Sequence, residues 1–483
     1  MAIDATVVGS PGWWLARLGH RILAERKELD RLWKYAIGEP DLPSVPGVAP
    51  GAVGDWMNVA RTNWSGLVLD APAERLGVTG FRFGDKSADS EANKIWQANF
   101  MDADADLVHY GALSQRRAYV LVERDEDGQP ALSHETPRQM AVEHQPGRPR
   151  KLAAGLKLWR DDWTGQTRAT LWLPDGIHHF QTKDEQPVFL GLVGRHILGR
   201  WDAFSLPGDR GNSEANLLGQ VPIVPFVNRR NRSLSGFAEH EDITSVQDRI
   251  NLSVLNLIAA MRYGSFRQRW AAGLEVDEDP VTGKPVEPFK LDITKLWTTE
   301  SPDTRFGEFQ ATDLGPYVQA VSAGVQDLAA LSHTPPHYLM GVVANVSGDA
   351  LKSAETGLVA KVKDRQRAFG ESWEQVLRLA FRVLGDTERA RVTGAETVWR
   401  DPESRTVAEL ADAAVKKAAA GVPWRQRMED LGYTPQEISR MEVDRAQDAM
   451  LAPLATETSR PPAPAPAPAA APGDPGVVGR AAA

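Results

Sequence analysis

From Trp13 to Ile37 apolar residues return every three or four positions. Trp14, Leu18, Ile22, Leu29, Leu32 and Trp33 fall near one helical face, and Arg17, Arg21, Glu25 and Lys27 supply a wet one. Gly38 and Pro40 stop that helix. The same periodicity predicts helices over Trp56–Arg75 and Ser90–Ala112. The pattern then shortens. Ala118–Glu123, Leu152–Trp159, Thr167–Leu173, Ile177–Thr182 and Val221–Val227 read as strands, and Asp125–Gly128, Asp161–Gly165 and Pro174–Gly176 carry turn chemistry between them. An antiparallel meander in an α+β unit follows.

Helical spacing resumes from Glu241 to Tyr263, with Asp242 as a cap and Gly264 as a stop. Ile243, Val246, Ile250, Val254, Leu257 and Met261 make one stripe, and Leu252, Leu255 and Ile258 add apolar surface on other sides. Such a helix needs more than one neighbour to bury it. Ser265–Thr312 reads as a small β-rich insertion with a turn at Pro280–Pro285. Asp313 then caps a helix with Pro316 in its first turn, carrying Val318, Val321, Val325 and Leu328. His333–Gly348 holds Pro335, Pro336, Gly341 and Gly348, so regular helix is not expected there. The longest helix follows, Asp349–Leu384, roughly 50 Å at about 1.5 Å per residue. Ser404–Ala420 is a further helix, and Thr434-Pro-Gln-Glu437 is a capping box with proline at the first helical position. After about Thr456 the chain becomes Pro/Ala-rich and is expected to be extended and mobile.

The chain has 483 residues, enough for two to four structural units, and a formal net charge of −9. That balance argues against a protein that wraps nucleic acid with a basic surface. Cysteine is absent, which removes thiol chemistry and thiolate metal sites and suits a reducing compartment. Met1–Pro11 lacks the basic flank and apolar run of a secretion signal, and Ile250–Met261 is too short for a span, so no membrane association is expected.

Candidate chemistry is sparse. Gly283-Lys284 lacks the upstream glycine and downstream hydroxyl residue of a phosphate loop. His134, His144, His178 and His179 are scattered and read as isolated surface histidines, not as a convergent metal set. No catalytic residue, metal ligand or cofactor site is assigned. The fifteen tryptophans read as core anchors.

Several segments together carry a resemblance. They are Leu29-Asp-Arg-Leu-Trp-Lys-Tyr-Ala-Ile-Gly-Glu39, Asn63-Trp-Ser-Gly-Leu-Val-Leu-Asp70 with Glu74-Arg-Leu-Gly-Val-Thr-Gly-Phe81, and Thr334-Pro-Pro-His-Tyr-Leu-Met-Gly341 with Asn345-Val-Ser-Gly-Asp-Ala-Leu351. Phe369-Gly-Glu-Ser-Trp-Glu374, Trp399-Arg-Asp-Pro402, Ala420-Gly421 and Gly432-Tyr-Thr-Pro-Gln-Glu437 complete the series. In this order, over roughly residues 15 to 450, they resemble the portal proteins of long-tailed bacteriophages, particularly those of actinobacteria.

The resemblance implies a portal-type α+β fold with long helices, an antiparallel β wing, a β-rich clip and a helical crown. It assigns an N-terminal arm to 1–14, the wing to 15–237, stem helices to 238–264 and 313–332, and the clip to 265–312. A channel loop takes 333–348, a long wing helix 349–385, the crown 386–455 and a tail 456–483. It implies a homo-oligomeric ring of about a dozen subunits at one capsid vertex of the virion, assembled in the host cytoplasm. Duplex DNA would pass through without sequence specificity. Expected partners are the terminase large subunit, head-completion or adaptor proteins, and the major capsid and scaffold proteins. Val342, Val343, Asn345, Ser347 and Lys352 become candidate channel-loop residues, and Lys284 and Lys290 candidate clip contacts. Lys361 is a weaker phosphate-facing candidate. Two other readings stay open: another phage head–tail component, or an enzyme with a dispersed carboxylate/histidine site.

Overall fold

The computed structural model describes residues 5–41, 56–84, 88–182, 201–204, 212–231, 235–264, 269–273, 280, 283, 303–309, 312–341, 348–403 and 405–458. The chain divides into two compact units, Met1–Leu410 and Ala411–Ala483.

In the first unit, α1 (Pro11–Ala36) starts where Ser10 accepts a hydrogen bond from the Trp13 amide, with proline at its first position. The expected second helix is broken. Residues 56–60 are helical, the chain then straightens, and α2 (Trp64–Ala73) begins afresh because the Asn63 side chain accepts from the Gly66 amide at 2.9 Å. After β1 (Val78–Phe83), the expected third helix is likewise two, α3 (Ser90–Ala98) and α4 (Met101–Ser114). Asn99 makes the break. Its amide donates to the carbonyls of Ile95 and Pro130, both at 2.9 Å, and its carbonyl accepts from the Leu132 amide, while Phe100 takes φ 55°.

Strands follow: β2 (Arg117–Arg124), β3 (Pro130–Glu135), β4 (Met140–Gln145), β5 (Arg148–Arg160), β6 (Thr167–Trp172), β7 (Gly176–Thr182), β8 (Trp201–Ala203), β9 (Ser213–Ala215) and β10 (Ile223–Val227). Strands β4 to β8 form an antiparallel sheet in sequence order, with β9 on β7, and a second sheet has the order β10-β2-β3. The meander is thus present, with four strands (β3, β4, β8 and β9) that periodicity did not reveal. Beyond it come α5 (Thr244–Gly264), the antiparallel pair β11 (Arg269–Ala272) and β12 (Arg305–Glu308), and α6 (Gly315–Ser332). A one-turn α7 (Pro336–Met340) interrupts the expected irregular stretch, and α8 (Gly348–Val383) is the long helix. Strand β13 (Ala395–Trp399) pairs antiparallel with β1.

Helix α8 shapes the core. Leu358, Val362, Phe369, Trp373, Val376 and Ala380 on one stripe are buried with Trp96, Val108 and Phe226 from the helices and strands around them. A second cluster seals α1 to the larger sheet through Leu15, Leu18, Ile22, Leu156, Leu171 and Trp201. The tryptophans behave as anchors at Trp96, Trp172, Trp201 and Trp373, but Trp163 at the β5–β6 turn is 99% exposed.

The second unit carries most of α9 (Val407–Ala419), then α10 (Trp424–Asp430) and α11 (Pro435–Thr458). The capping box forms as expected. The Thr434 amide donates to Glu437 at 2.8 Å, and the Glu437 amide donates to the Thr434 hydroxyl at 3.3 Å. Residues 459–483, including most of the Pro/Ala-rich tail, lie outside the described residues.

One bend between β10 and α5 requires glycine. Gly236 has φ +71°, and a β-carbon there would sit 2.4 Å from the Asn228 carbonyl and 2.7 Å from that of Arg116. Gly236→Ala is expected to destabilise the fold by more than about 2 kcal/mol, measured as a lower urea midpoint. An unchanged midpoint would contradict the packing.

Candidate functional site

The segment from 236 to 365 concentrates features that a compact core does not require. Helices α5 and α6 pack on each other through Ile243, Val246, Ile250, Val325, Leu328 and Ala329, with Val68 of α2 and Leu339 of α7 closing the base. Gly324 allows the approach: a β-carbon there would meet Ile250 at 2.7 Å. Cover is incomplete. Leu252 is 37%, Val318 56% and Leu331 56% exposed, on helices whose opposite faces are buried.

Both helices are poor in free cations. Arg249 of α5 pairs with Asp327 of α6 at 2.5 Å, and Arg262 lies over the Trp56 ring at 4.8 Å. Helix α6 has no lysine or arginine at all.

The base of this pair is clamped to α8 by buried charge. Glu239, just before α5, accepts from Lys361 at 3.1 Å, Arg365 at 3.2 Å and the Asn228 amide at 3.2 Å. Lys361 also donates to the Ser332 carbonyl, which ends α6, at 2.5 Å. Burial opposes charge on Glu239, but the two cations outweigh it and hold the carboxyl down at about 2. Burial in turn lowers Lys361. Lys361 is therefore no phosphate-facing lysine: its ammonium is shut inside the protein by α5, α6 and α8. A second clamp holds α7, where Arg75 donates to the Tyr338 hydroxyl at 2.5 Å and lies 3.7 Å from Glu355 of α8.

Of the candidate channel-loop and clip residues, Lys352 alone is described. It is half-exposed on the first turns of α8 and ion-paired with Glu409, beside a cleft of about 540 Å³ that Thr356 and Glu403 also line. Glu409 is at the same time the capping partner of Thr406, accepting from its amide at 3.0 Å. Val342, Val343, Asn345, Ser347, Lys284 and Lys290 lie outside the described residues.

Sequence reasoning missed Glu239 and Arg365. A signal existed for the second: Arg365 falls in register with Leu358, Val362 and Phe369 on the buried stripe of α8, where an unpaired charge is not tolerated. Nothing in the sequence pointed to its acidic partner, more than a hundred positions away.

The histidines need correction. His179 is only 8% exposed, His134, His144 and His178 are half-buried, and burial lowers all four. They are sheet residues, not surface ones. Thr170, His179 and Glu214 come nearest to a nucleophile relay, at 3.1 Å and 3.8 Å. Thr170 and His179 face each other across β6 and β7, and the hydroxyl is buried, so this is a cross-strand polar pair with no room for a substrate. Among the described residues no group of acidic or histidine side chains is placed to hold a metal ion, and no helix is long and apolar enough to cross a membrane.

Two further histidines are fully buried. His109 accepts from the Trp373 indole at 2.9 Å, and His240 contacts the Leu32 carbonyl at 2.9 Å. Burial pushes them down to about 3 and about 4. Both stay neutral in the fold while an unfolded chain protonates them below about pH 6.5. Their contribution is thus complete above pH 6.5 and falls as pH drops, by up to about 1.4 kcal/mol per unit for each. The urea midpoint is expected to fall between about pH 7 and about pH 5, and a His109→Gln variant is expected to show a shallower fall. An unchanged slope in that variant would contradict the assignment.

The family model described as "Phage portal protein, SPP1 Gp6-like" matches residues 57–449, a range that contains the helix pair, the β11–β12 pair between the two helices and both clamps. The chain belongs to this portal-protein family. The portal protein of Mycobacterium phage D29 is 29% identical over 405 residues, covering 79% of this chain and 78% of the relative. That of Mycobacterium phage L5 is 28% identical over the same length and shares. Among solved structures, a chain from the virion of a native gene transfer agent particle aligns at 13% identity and a TM-score of 0.43, over 82% of this chain and 97% of that one. A chain from the neck of such a particle, computed with C12 symmetry, aligns at 11% and 0.39, over 80% and 95%. For this portal-family chain, the actinobacterial resemblance read from the sequence agrees with the two mycobacteriophage relatives.

Proposed function

We propose that this chain is one wedge of a closed ring of about a dozen copies at a phage capsid vertex, and that the ring is the conduit through which duplex DNA is packed and ejected. The observation that carries it is the α5/α6 pair, with Leu252 and Val318 left exposed on helices whose opposite faces are buried against each other. A heterologous contact with a second copy covers such faces on both sides and closes on itself when the rotation permits. The cation-poor helices fit the same reading. Each basic group on a phosphate adds affinity through counterion release, and many of them repeated around a ring would stall a sliding duplex. Here Arg249 and Arg262 are already engaged.

In this reading residues 15–237 are the wing, 238–264 and 313–332 the stem, 265–312 the clip, 333–348 the channel loop and 349–385 the long wing helix. Residues 386–455 are the crown in the same reading, with β13 paired to β1. The ring performs no chemistry. A terminase large subunit works against it, adaptor proteins dock on it later, and capsid and scaffold proteins seat it in the virion, with Lys284 and Lys290 as clip contacts. Light scattering on the purified chain is expected to give a mass of many subunits, and negative-stain images a round particle with an axial hole. Compact particles without an opening would overturn it.

A further inference from the structure

A cleft of about 240 Å³ lies between the β4–β5 hairpin, the end of β10 and the middle of α8. Its floor is apolar, with Leu152, Pro225 and Val227, and its rim carries Arg150, Arg230 and Glu371. Arg150 reaches toward Glu371 across 3.8 Å, with 81% of its side chain exposed. Arg230 has no carboxylate within ion-pair distance among the described residues, and neither do Arg148 and Lys151 on the adjoining exposed strand. Burial in the cleft and the charge of Arg150 both lower Arg230 below the ordinary arginine value. Three arginines, Arg150, Arg230 and Arg378, thus line one cleft with Glu371 as its only lining carboxylate among the described residues, while Arg378 is already 3.9 Å from Glu374. This arrangement is unfavourable alone and is relieved by an incoming anion. In a chain of net charge −9, such a local cationic excess is set against the overall balance.

We propose that this cleft is a docking site for an acidic, extended segment of a partner protein, whose carboxylates engage Arg150 and Arg230 while its aliphatic atoms rest on Leu152 and Val227. The shape favours a polypeptide over a nucleic acid. A cleft this narrow admits single side chains, whereas a duplex presents a broad, continuous row of phosphates that Glu371 on the wall would repel. A peptide can place its acids at the two arginines and leave the neighbourhood of Glu371 neutral. Every residue lining the site belongs to one subunit.

The test uses the full chain and a short fluorescein-labelled oligoglutamate peptide, read by anisotropy at low salt. Saturable binding of one peptide per subunit is expected. Arg150→Glu with Arg230→Glu is expected to weaken it by at least about tenfold, the scale of losing one or two charge-assisted hydrogen bonds. Arg124→Glu, half that charge change on an exposed strand end outside the cleft, is expected to leave it unchanged. Circular dichroism melts confirm that the variants fold, and all three side chains are exposed. An unaltered affinity in the double variant would overturn the site. So would an equal loss in Arg124→Glu, which would mean diffuse charge attraction, or a duplex oligonucleotide displacing the peptide at lower concentration than unlabelled peptide does.

Discussion

Glu239→Ala is expected to lower the stability of the first unit by about 3–5 kcal/mol, the range for stranding a buried charge by removing its partner. The side chain is buried with Lys361 and Arg365, and no solvent reaches in to replace it. Truncation leaves Lys361 with the Ser332 carbonyl and Arg365 with Asp364 as their remaining polar contacts. The physical cause is testable by a double-mutant cycle. Lys361→Met in the Glu239→Leu background is expected to recover part of the loss relative to Glu239→Leu alone, because it removes one of the two stranded cations while Arg365 keeps Asp364. Additive losses would show that shape, not charge, makes the clamp. The same carboxyl predicts an acid limb. Held at about 2 against an ordinary 4.5, it contributes stability that is complete above pH 4.5 and is lost as pH falls toward 2. Glu239→Ala is expected to remove that limb from the pH profile. The clamp joins the start of α5, the end of α6 and the middle of α8, so its loss is also expected to loosen the helix pair relative to α8.

Leu252→Lys combined with Val318→Lys is expected to abolish assembly and leave the subunit folded. Both side chains are exposed in the single chain, at 37% and 56%, where a lysine changes stability by no more than about 0.5 kcal/mol. Between subunits each lysine would bring an unpaired charge into an apolar contact, and the closed symmetry repeats that cost at every interface. Light scattering is expected to report a monomer whose thermal unfolding matches the parent chain. Rings that persist in this variant would remove the contact from the interface. A variant that also unfolds would show that the two faces are needed inside one subunit.

Residue periodicity sufficed for much of this protein. The helices α1, α5, α6 and α8, five strands of the meander, the capping box at Thr434 and the glycine stops were legible from local pattern, because each depends on residues within a turn or two of one another. The order of motifs along the chain was enough for the family. Tertiary structure decided what depends on distant partners. Asn99 and Asn63 broke two apparent helices because their side chains found backbone groups that only folding delivers. Strands β1 and β13, more than three hundred positions apart, pair by long-range register that a local window does not contain. Lys361 read as a phosphate-facing candidate until Glu239, on another element, turned it into a buried tether. A side chain's charge is written in the sequence, but its partner and its solvent are set only when the elements pack.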